Sequence, residues 1–159
     1  MVAGYHLIWT VYGYWLPNDP RGSTSTEVRV EPIAALGEHH FGRKKNQPSS
    51  KELRAFLKNA HDTLAHNVYP FDEDDIAMIG KAFGACAVEW EYVCHACAVM
   101  PDHVHLLIRR HRDRAEDVIA KFQERAKAAL IEAGKRPVNH PVWTRWAGVE
   151  DVHQFTAAI

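Results

Sequence analysis

The spacing of hydrophobic residues along the 159-residue chain predicts β-strands near its start and in its second half. Residues 5–12 are rich in β-branched and aromatic side chains, which is typical of a strand. Residues 92–100 are nearly all apolar, which predicts a central strand covered on both faces. A Met-Pro-Asp turn then leads into residues 103–108, which are predicted to form a strand with one buried face.

Three helices are predicted from apolar residues at helical spacing and from the capping residues before them. The capping residues are Ser49 with Glu52 for the first helix, Asp72 for the second, and Asp113 with Glu116 for the third. Gly134 is expected to end the third helix, because glycine readily adopts the left-handed conformation found after helix C-termini. The last part of residues 149–159 is typical of the opening of a fourth helix, with Asp151 as its cap.

The segment between the first strand and the first helix lacks a clear periodicity. Pro17, Pro20 and Gly22 exclude regular structure at its start, and residues 17–48 are predicted to form a long surface loop. Loops of this length inside compact domains are usually functional or disordered. The length of the chain favours a single domain over residues 1–159 that carries this loop.

Composition limits the classes of protein to which the chain can belong. With 47% hydrophobic and 25% charged residues, it has the composition of an ordinary globular protein. No apolar run reaches the roughly 20 residues that a membrane-spanning helix needs, and the first residues do not resemble a secretory signal. We therefore expect a cytoplasmic protein without membrane association. The net charge of −1 means that any contact with nucleic acid needs a local basic patch.

The three cysteines do not predict a disulfide framework. Cys94 and Cys97 are three residues apart in a predicted strand. Their thiols are therefore expected to point to opposite faces and not to share a metal ion. We expect both to be buried structural residues.

The clearest chemical signal is the pair His103 and His105, in a chain that contains 11 histidines. Alternate residues of a strand point to the same face, so the two imidazoles stand side by side, with Cα atoms roughly 6.5–7 Å apart. At that spacing both can bind one divalent cation. The apolar residues at 104, 106 and 108 occupy the other face and can pack under helices. The alternative is a chance alternation on a half-exposed strand, but polar groups between two strongly apolar strands need a reason.

Residues 98–108, with the sequence AVMPDHVHLLI, resemble the His-hydrophobic-His (HUH) strand of the single-tyrosine transposases, which include the REP-associated tyrosine transposases. The first strand resembles that family's first strand in its residues 5–10, YHLIWT. Residues 15–22, WLPNDPRG, look like one subgroup of the family. The region around Trp143 is similar to the segment that leads into the catalytic helix.

The resemblance implies an α+β fold, in which a ferredoxin-like antiparallel sheet of four to five strands has helices packed on one face. It implies that His103 and His105, with a third ligand from the C-terminal helix, hold Mg²⁺ or Mn²⁺. The implied activity is cleavage and rejoining of single-stranded DNA beside a hairpin, through a 5′-phosphotyrosine. The implied partners are single-stranded or hairpin DNA and a second copy of the chain, because the family acts as homodimers.

The sequence departs from the family at the nucleophile. The resemblance places the catalytic tyrosine just beyond Ile159, and the five tyrosines of the chain lie elsewhere. The third metal ligand follows that tyrosine in the family. We therefore expect a truncated C-terminal helix, and a chain that binds DNA but does not cleave it.

Local clusters of basic residues are the candidates for DNA contact, because bound phosphates are neutralised by lysine and arginine. The candidates are Arg109, Arg110 and Arg112 after the histidine strand, Lys121 and Arg125 on the third helix, and Arg43, Lys44 and Lys45 in the loop. Trp9, Trp143 and Trp146 are candidates for stacking on unpaired bases, although tryptophan is more often a core residue.

Two other functions are compatible with the same residues. The first is a metal-dependent phosphoesterase that uses the two histidines with water as the nucleophile. It predicts turnover of small phosphodiesters and no preference for hairpins. The second is a non-catalytic module that binds hairpin DNA, which predicts hairpin affinity that survives His103→Ala.

Overall fold

The computed structural model describes residues 2–23 and 31–153, and leaves aside the side chains of residues 31–32 and 145–149. In chain order, the elements are β1 (Gly4–Val11), β2 (Gly22–Ser23), α1 (Glu31–Ala34), β3 (Gly42–Arg43), α2 (Ser50–Thr63), α3 (Glu73–Glu89), β4 (Cys94–Val99), β5 (His103–Arg109), α4 (Ala115–Glu132) and β6 (Trp143–Val152). They form two compact units: one is residues 12–69, and the other combines the chain before and after that segment.

A four-stranded antiparallel sheet with the order β4-β5-β1-β6 forms the centre of the larger unit. Helix α3 precedes β4, and helix α4 connects β5 to β6. The resulting β-α-β-β-α-β order, with β1 and β5 in the middle of the sheet, is the ferredoxin-like arrangement. The prediction of an antiparallel α+β fold is confirmed, and this sheet has four strands.

One face of the sheet packs against the two long helices. Leu7 and Trp9 of β1 and Val104 of β5 are fully buried there. The Trp9 ring meets Phe83 of α3 edge-on at 5.8 Å, and Phe83 meets Phe122 of α4 at 5.1 Å. Edge-to-face packing at such distances adds to the free energy gained from apolar burial. The helices therefore lie on one side of the sheet, as predicted, and leave the opposite face for other contacts.

The helix ends agree with the predicted caps in two cases and differ in the third. Ser49 and Glu52 form a complete capping box at α2, and Asp72 accepts a hydrogen bond from the Asp75 amide at α3. The prediction for Asp113 is wrong, because the residue at the N-cap of α4 is Arg114, without a side-chain cap bond. The Asp113 carboxylate instead accepts hydrogen bonds from Tyr92 and Lys121. The Asp113 side chain therefore binds two distant side chains and does not cap the backbone amides of α4.

Strand β4 is an edge strand, and its prediction as a central strand covered on both faces is wrong. It pairs with β5 alone, and residues 94–98 are exposed. Apolar composition could not reveal this position, because the small alanine and cysteine side chains at 94, 96, 97 and 98 suit an edge as well as a centre. Among the described residues, no strand pairs with the outer edge of β4.

The predicted fourth helix is also wrong over the residues that the structure describes. Val149 and Asp151 belong to β6, opposite Leu7 and Tyr5 of β1. Pairing with β1 satisfies the backbone groups of this segment along a whole strand, whereas a short helix at a chain end is marginal on its own. Residues 154–159 of the predicted helix lie outside the described part of the chain.

The smaller unit contains the residues that were predicted as a loop. Its described part includes the single helical turn α1, the two-residue pair β2–β3 and helix α2. Leu16, Ile33 and Ala60 form a small core. The fully buried Asp19 carboxylate accepts hydrogen bonds from the Arg21 guanidinium at 2.8 and 2.9 Å, so a paired charge fixes the turn before β2.

None of the helices in the described ranges combines the length and the apolar character that crossing a membrane requires.

Candidate functional site

The side chains of His103 and His105 lie together on the face of β5 that the helices leave uncovered. Their ring centroids are 4.9 Å apart, and the ring planes are nearly perpendicular, at 81°. Both residues are partly exposed, whereas Val104, Leu106 and Ile108 between and beyond them are buried. The strand alternation predicted for these residues is therefore confirmed, with one face in the core and the other carrying two imidazoles.

A carboxylate orients the first of these histidines. Nδ1 of His103 lies 2.6 Å from Oδ1 of Asp102, the preceding residue in the turn. An ionised carboxylate can only accept a hydrogen bond, so Nδ1 of His103 is the donor. The lone pair of the neutral ring is then on Nε2, which is the nitrogen suited to bind a metal ion.

A third histidine, from β1, holds the second one. Nε2 of His6 lies 2.9 Å from Nδ1 of His105, and the two rings meet edge to edge, with centroids 5.1 Å apart and planes at 17°. On its other side, Nδ1 of His6 lies 3.0 Å from Oε2 of Glu150 in β6. A hydrogen-bonded chain of three side chains thus crosses three strands and ends at His105.

Sequence reasoning missed His6 and Glu150. No local motif marks these two residues, because they meet His105 only through the register in which β1 pairs with β5 and β6. His6 is paired directly with Glu150 across β1 and β6, and diagonally with His105 across β1 and β5, whose register pairs Ile8 with His105. Diagonal neighbours on one face of an antiparallel pair are within reach of long side chains.

Burial lowers the pKa of His105, and the nearby positive charges that His103 and His6 can carry lower it further, against the opposing effect of Glu150. A lowered pKa keeps the imidazole neutral to more acidic pH. Neutral imidazole is the form that binds metal ions, so the surroundings of His105 favour the binding-competent form.

The two histidines fit a metal site in their donor chemistry. Each has Nδ1 engaged by a hydrogen-bond partner, which is the arrangement found around metal-binding histidines. They supply two ligands only, because no group of three or more His, Cys, Asp or Glu side chains in the described residues is arranged to hold a metal ion.

The basic residues predicted to contact DNA differ in their surroundings. Arg109 continues the histidine face at the far end of β5, and Arg109, Arg110 and Arg112 are all exposed. By contrast, Lys121 forms an ion pair with Asp113 at 2.7 Å, and Arg125 is paired with Glu89. The remaining three candidates, Arg43, Lys44 and Lys45, belong to the smaller unit.

Within the described part of the larger unit, neither of the two tyrosines, Tyr5 and Tyr92, is hydrogen-bonded to His103 or His105. Burial, together with the hydrogen bond to Asp113, raises the pKa of Tyr92 to about 12, so its phenol is a poor nucleophile. Tyr5 lies on β1, and Tyr12, Tyr14 and Tyr69 belong to the smaller unit.

The cysteines lie together, contrary to the prediction that they point to opposite faces. A register shift in β4 between Cys94 and Ala96 places Cys94 opposite Ile108 and Cys97 opposite Leu106, both of which face the helices. Both thiols line an apolar groove of about 390 Å³ between α3 and β4. Residues three apart in a regular strand point to opposite faces, but the extra residue of the bulge brings Cys94 and Cys97 to the same face. They face away from the histidines and are exposed, not buried as predicted.

The tryptophans are core residues where their side chains are described. Trp9 is fully buried and Trp143 is 6% exposed. Their positions exclude both as stacking platforms for unpaired bases in this arrangement. The side chain of Trp146 lies outside the described part of the structure.

No protein-family model matches the sequence, and no curated protein matches it. Among solved structures, similarity extends to the crystal structure of a protein described as a "putative transposase" from Deinococcus radiodurans R1. The identity is 15%, the TM-score is 0.48, and the similarity covers 96% of this chain and 80% of the other.

Proposed function

We propose that this chain is a DNA-processing domain of the HUH single-tyrosine transposase type, which binds single-stranded or hairpin DNA beside a metal ion held by His103 and His105. The observation that carries the proposal is the orientation of the two rings. Both lie on the face of β5 opposite α3 and α4, and both have Nδ1 engaged, so that Nε2 is the metal-binding nitrogen. The sequence resemblance of residues 98–108 supports the family.

The metal site would use Nε2 of both histidines, with Asp102 and His6 holding the rings in place. Mn²⁺ or Mg²⁺, when bound there, would act as a Lewis acid that neutralises the charge of a DNA phosphodiester. Mg²⁺ prefers oxygen ligands and gives up its bound waters reluctantly, so two imidazole ligands suit it poorly. Mn²⁺ is therefore the ion of choice for testing the site.

The exposed arginines give the histidine face a way to hold the DNA backbone. Successive residues on one face of a strand are about 6.6 Å apart, so Arg109 lies about 13 Å from His105 along β5. That distance is about two nucleotide spacings of an extended strand. Arg109 would therefore contact a phosphate close to the one at the histidines, and Arg110 and Arg112 would extend the basic surface.

In the proposed family, cleavage needs a tyrosine nucleophile, which would attack the phosphorus and remain linked to the 5′ phosphate while a 3′ hydroxyl leaves. The covalent intermediate would conserve the bond energy for rejoining. Because Tyr92 is engaged with Asp113, we do not assign this role to it. For this chain, the proposal is binding of DNA and metal at the histidine face.

The unpaired edge of the sheet supports a homodimer as part of this proposal. Strand β4 exposes a row of small, uncharged side chains at 94, 96, 97 and 98. An open edge invites pairing with another strand, and residues 96–99, which follow the bulge, form the regular part of this edge. Pairing of two β4 strands about a two-fold axis would satisfy the outer backbone groups of both. Sedimentation of the wild type and of Ala96→Pro tests this arrangement, and the proline variant is expected to be monomeric.

The proposed function is tested by titrating a fluorescent hairpin DNA with the protein, in the presence and absence of Mn²⁺, for the wild type, His103→Ala and Arg109→Ala. We expect Mn²⁺ to strengthen binding to the hairpin in the wild type and not in His103→Ala. Hairpin affinity that is unchanged by His103→Ala and by Mn²⁺ would instead indicate the non-catalytic module. Hydrolysis of a small phosphodiester without hairpin preference would indicate the water-using phosphoesterase.

A further inference from the structure

We infer that His6 is a positioning residue, which sets the tautomer of His105 and so makes Nε2 of His105 the nitrogen that faces the metal. Glu150 acts on His105 through His6. The inference rests on the proposed metal site, but its central claim concerns a proton position in the metal-free protein. It therefore has a test that does not need the metal.

The Glu150 carboxylate determines which nitrogen donates in each of the two hydrogen bonds that link it to His105 through His6. The Glu150 carboxylate only accepts, so the 3.0 Å contact requires Nδ1 of His6 to donate. A neutral His6 ring then has its lone pair on Nε2. The 2.9 Å contact with His105 is therefore donated by Nδ1 of His105, which leaves the lone pair of His105 on its own Nε2.

This proton position is not the default for histidine. In water, a neutral histidine side chain favours the tautomer that carries its proton on Nε2, where it would block a metal ion. The acceptor on His6 makes the other tautomer favourable in His105. Nδ1 of His103 reaches the same state by a different route, through the Asp102 carboxylate at 2.6 Å. Both metal-binding nitrogens are thus prepared before an ion arrives.

Position and burial favour His6 for this role over a solvent molecule. The contact between His6 and His105 is partly buried, and the side chain of His6 is 30% exposed. The two ring planes are nearly parallel, at 17°, and the rings meet edge to edge, which suits an N–H···N hydrogen bond in the plane of both rings. Glu150 is more exposed, at 68%, so its bond to His6 is the weaker restraint of the two.

The substitution His6→Phe removes the acceptor and keeps a flat aromatic ring at the same place. His6→Gln supplies a matched control, because its side-chain carbonyl can accept a hydrogen bond near the place of Nε2. His40→Phe serves as a second control, since His40 is an exposed histidine of the smaller unit. Circular dichroism and thermal unfolding establish that all three variants keep the fold.

Two readouts test the inference. In two-bond ¹H–¹⁵N correlation spectra of the metal-free protein, His105 is expected to carry its proton on Nδ1 in the wild type, in His6→Gln and in His40→Phe. In His6→Phe, its proton is expected on Nε2. By calorimetry, Mn²⁺ binding is expected to weaken about 10- to 100-fold in His6→Phe, as is usual for loss of a group that orients a metal-binding histidine, and to recover in His6→Gln.

Failure of this inference is distinguishable from failure of the proposed function. If His103→Ala abolishes Mn²⁺ binding while His6→Phe leaves both affinity and tautomer unchanged, His6 has no positioning role and the metal site stands. If the wild type binds no Mn²⁺, the proposed function fails, but the tautomer spectra still decide what His6 does. A tautomer that shifts equally in His6→Gln and His6→Phe would also overturn the inference.

Discussion

Oδ1 of Asp102 lies 2.6 Å from Nδ1 of His103, in the turn that connects the edge strand β4 to the histidine strand β5. The two residues are adjacent in sequence, so the carboxylate reaches the ring without help from another part of the chain. This short contact makes Asp102 the partner of His103 in the same sense that His6 is the partner of His105.

Asp102→Ala is therefore expected to weaken Mn²⁺ binding about 10- to 100-fold, the usual effect of losing such a partner. Asp102→Asn keeps an oxygen acceptor and should lose less. Calorimetric titration of both variants beside the wild type measures the difference. Equal affinities in all three proteins would contradict a role for this contact.

Arg109 on β5 and Lys121 on α4 should differ in their effect on DNA binding. Because phosphate contacts release counterions, Arg109→Ala should weaken binding to a hairpin and reduce its dependence on salt concentration. Lys121 is already paired with Asp113 at 2.7 Å, so Lys121→Ala should change the salt dependence less. Anisotropy titrations at several salt concentrations give both slopes. A larger effect of Lys121→Ala would reverse the assignment of the binding face.

The interaction of Asp113 with Lys121 and Tyr92 predicts a defined loss of stability in acid. The hydrogen bond from Lys121, followed by that from Tyr92, lowers the pKa of Asp113 to about 2, against an ordinary value near 4. The folded state therefore favours the charged carboxylate. The stability that this group contributes is fully present above pH 4 and is lost as the pH falls through about 2.

Asp113→Asn tests this prediction. Urea unfolding at pH 7 should show a less stable variant than the wild type, and the difference should shrink between pH 4 and pH 2. A difference that stays constant over this range would mean that the ionisation of Asp113 does not contribute. Glu116→Gln is the matched control, because Glu116 is an exposed acid one turn away.

The buried ion pair between Asp75 of α3 and Arg136, which follows α4, is expected to contribute to the stability of the fold. Nη2 of Arg136 lies 2.7 Å from Oδ2 of Asp75, and the two side chains are 5% and 2% exposed. Removing one member of such a pair leaves the other charge buried, which usually costs about 3–5 kcal/mol. Arg136→Met should therefore lower the free energy of unfolding by about that amount, as measured by chemical denaturation. Asp75→Asn with Arg136→Met should recover part of the loss.

The sequence predicted the features that depend on local chemistry. Ser49 and Asp72 are adjacent to the helices they cap, and the alternation of His103 and His105 needs only the geometry of one strand. The ferredoxin-like sheet was predicted from the family resemblance alone, because the segment that forms the last strand, β6, was not recognised as a strand.

The predictions that were wrong concern residues whose structure is decided by contacts with distant parts of the chain. Asp113 could cap a helix, but Tyr92 and Lys121 hold it elsewhere. The bulge in β4 that brings Cys94 and Cys97 to one face has no sequence signal of its own. Asp151 was predicted to cap a helix, because its partner in β1, Tyr5, lies 146 positions earlier and leaves no local signal. Contacts of this kind require the register of the sheet, which no local pattern contains.

The chain from Glu150 through His6 to His105 joins residues that are separated by 144 and by 99 positions. Such long loops must be closed before the contacts can form, so they belong to the late stages of folding. A nascent polypeptide that has made β5 but not yet β6 therefore displays both imidazoles without their full support. Pairing of β6 with β1 then adds Glu150, the acceptor for Nδ1 of His6.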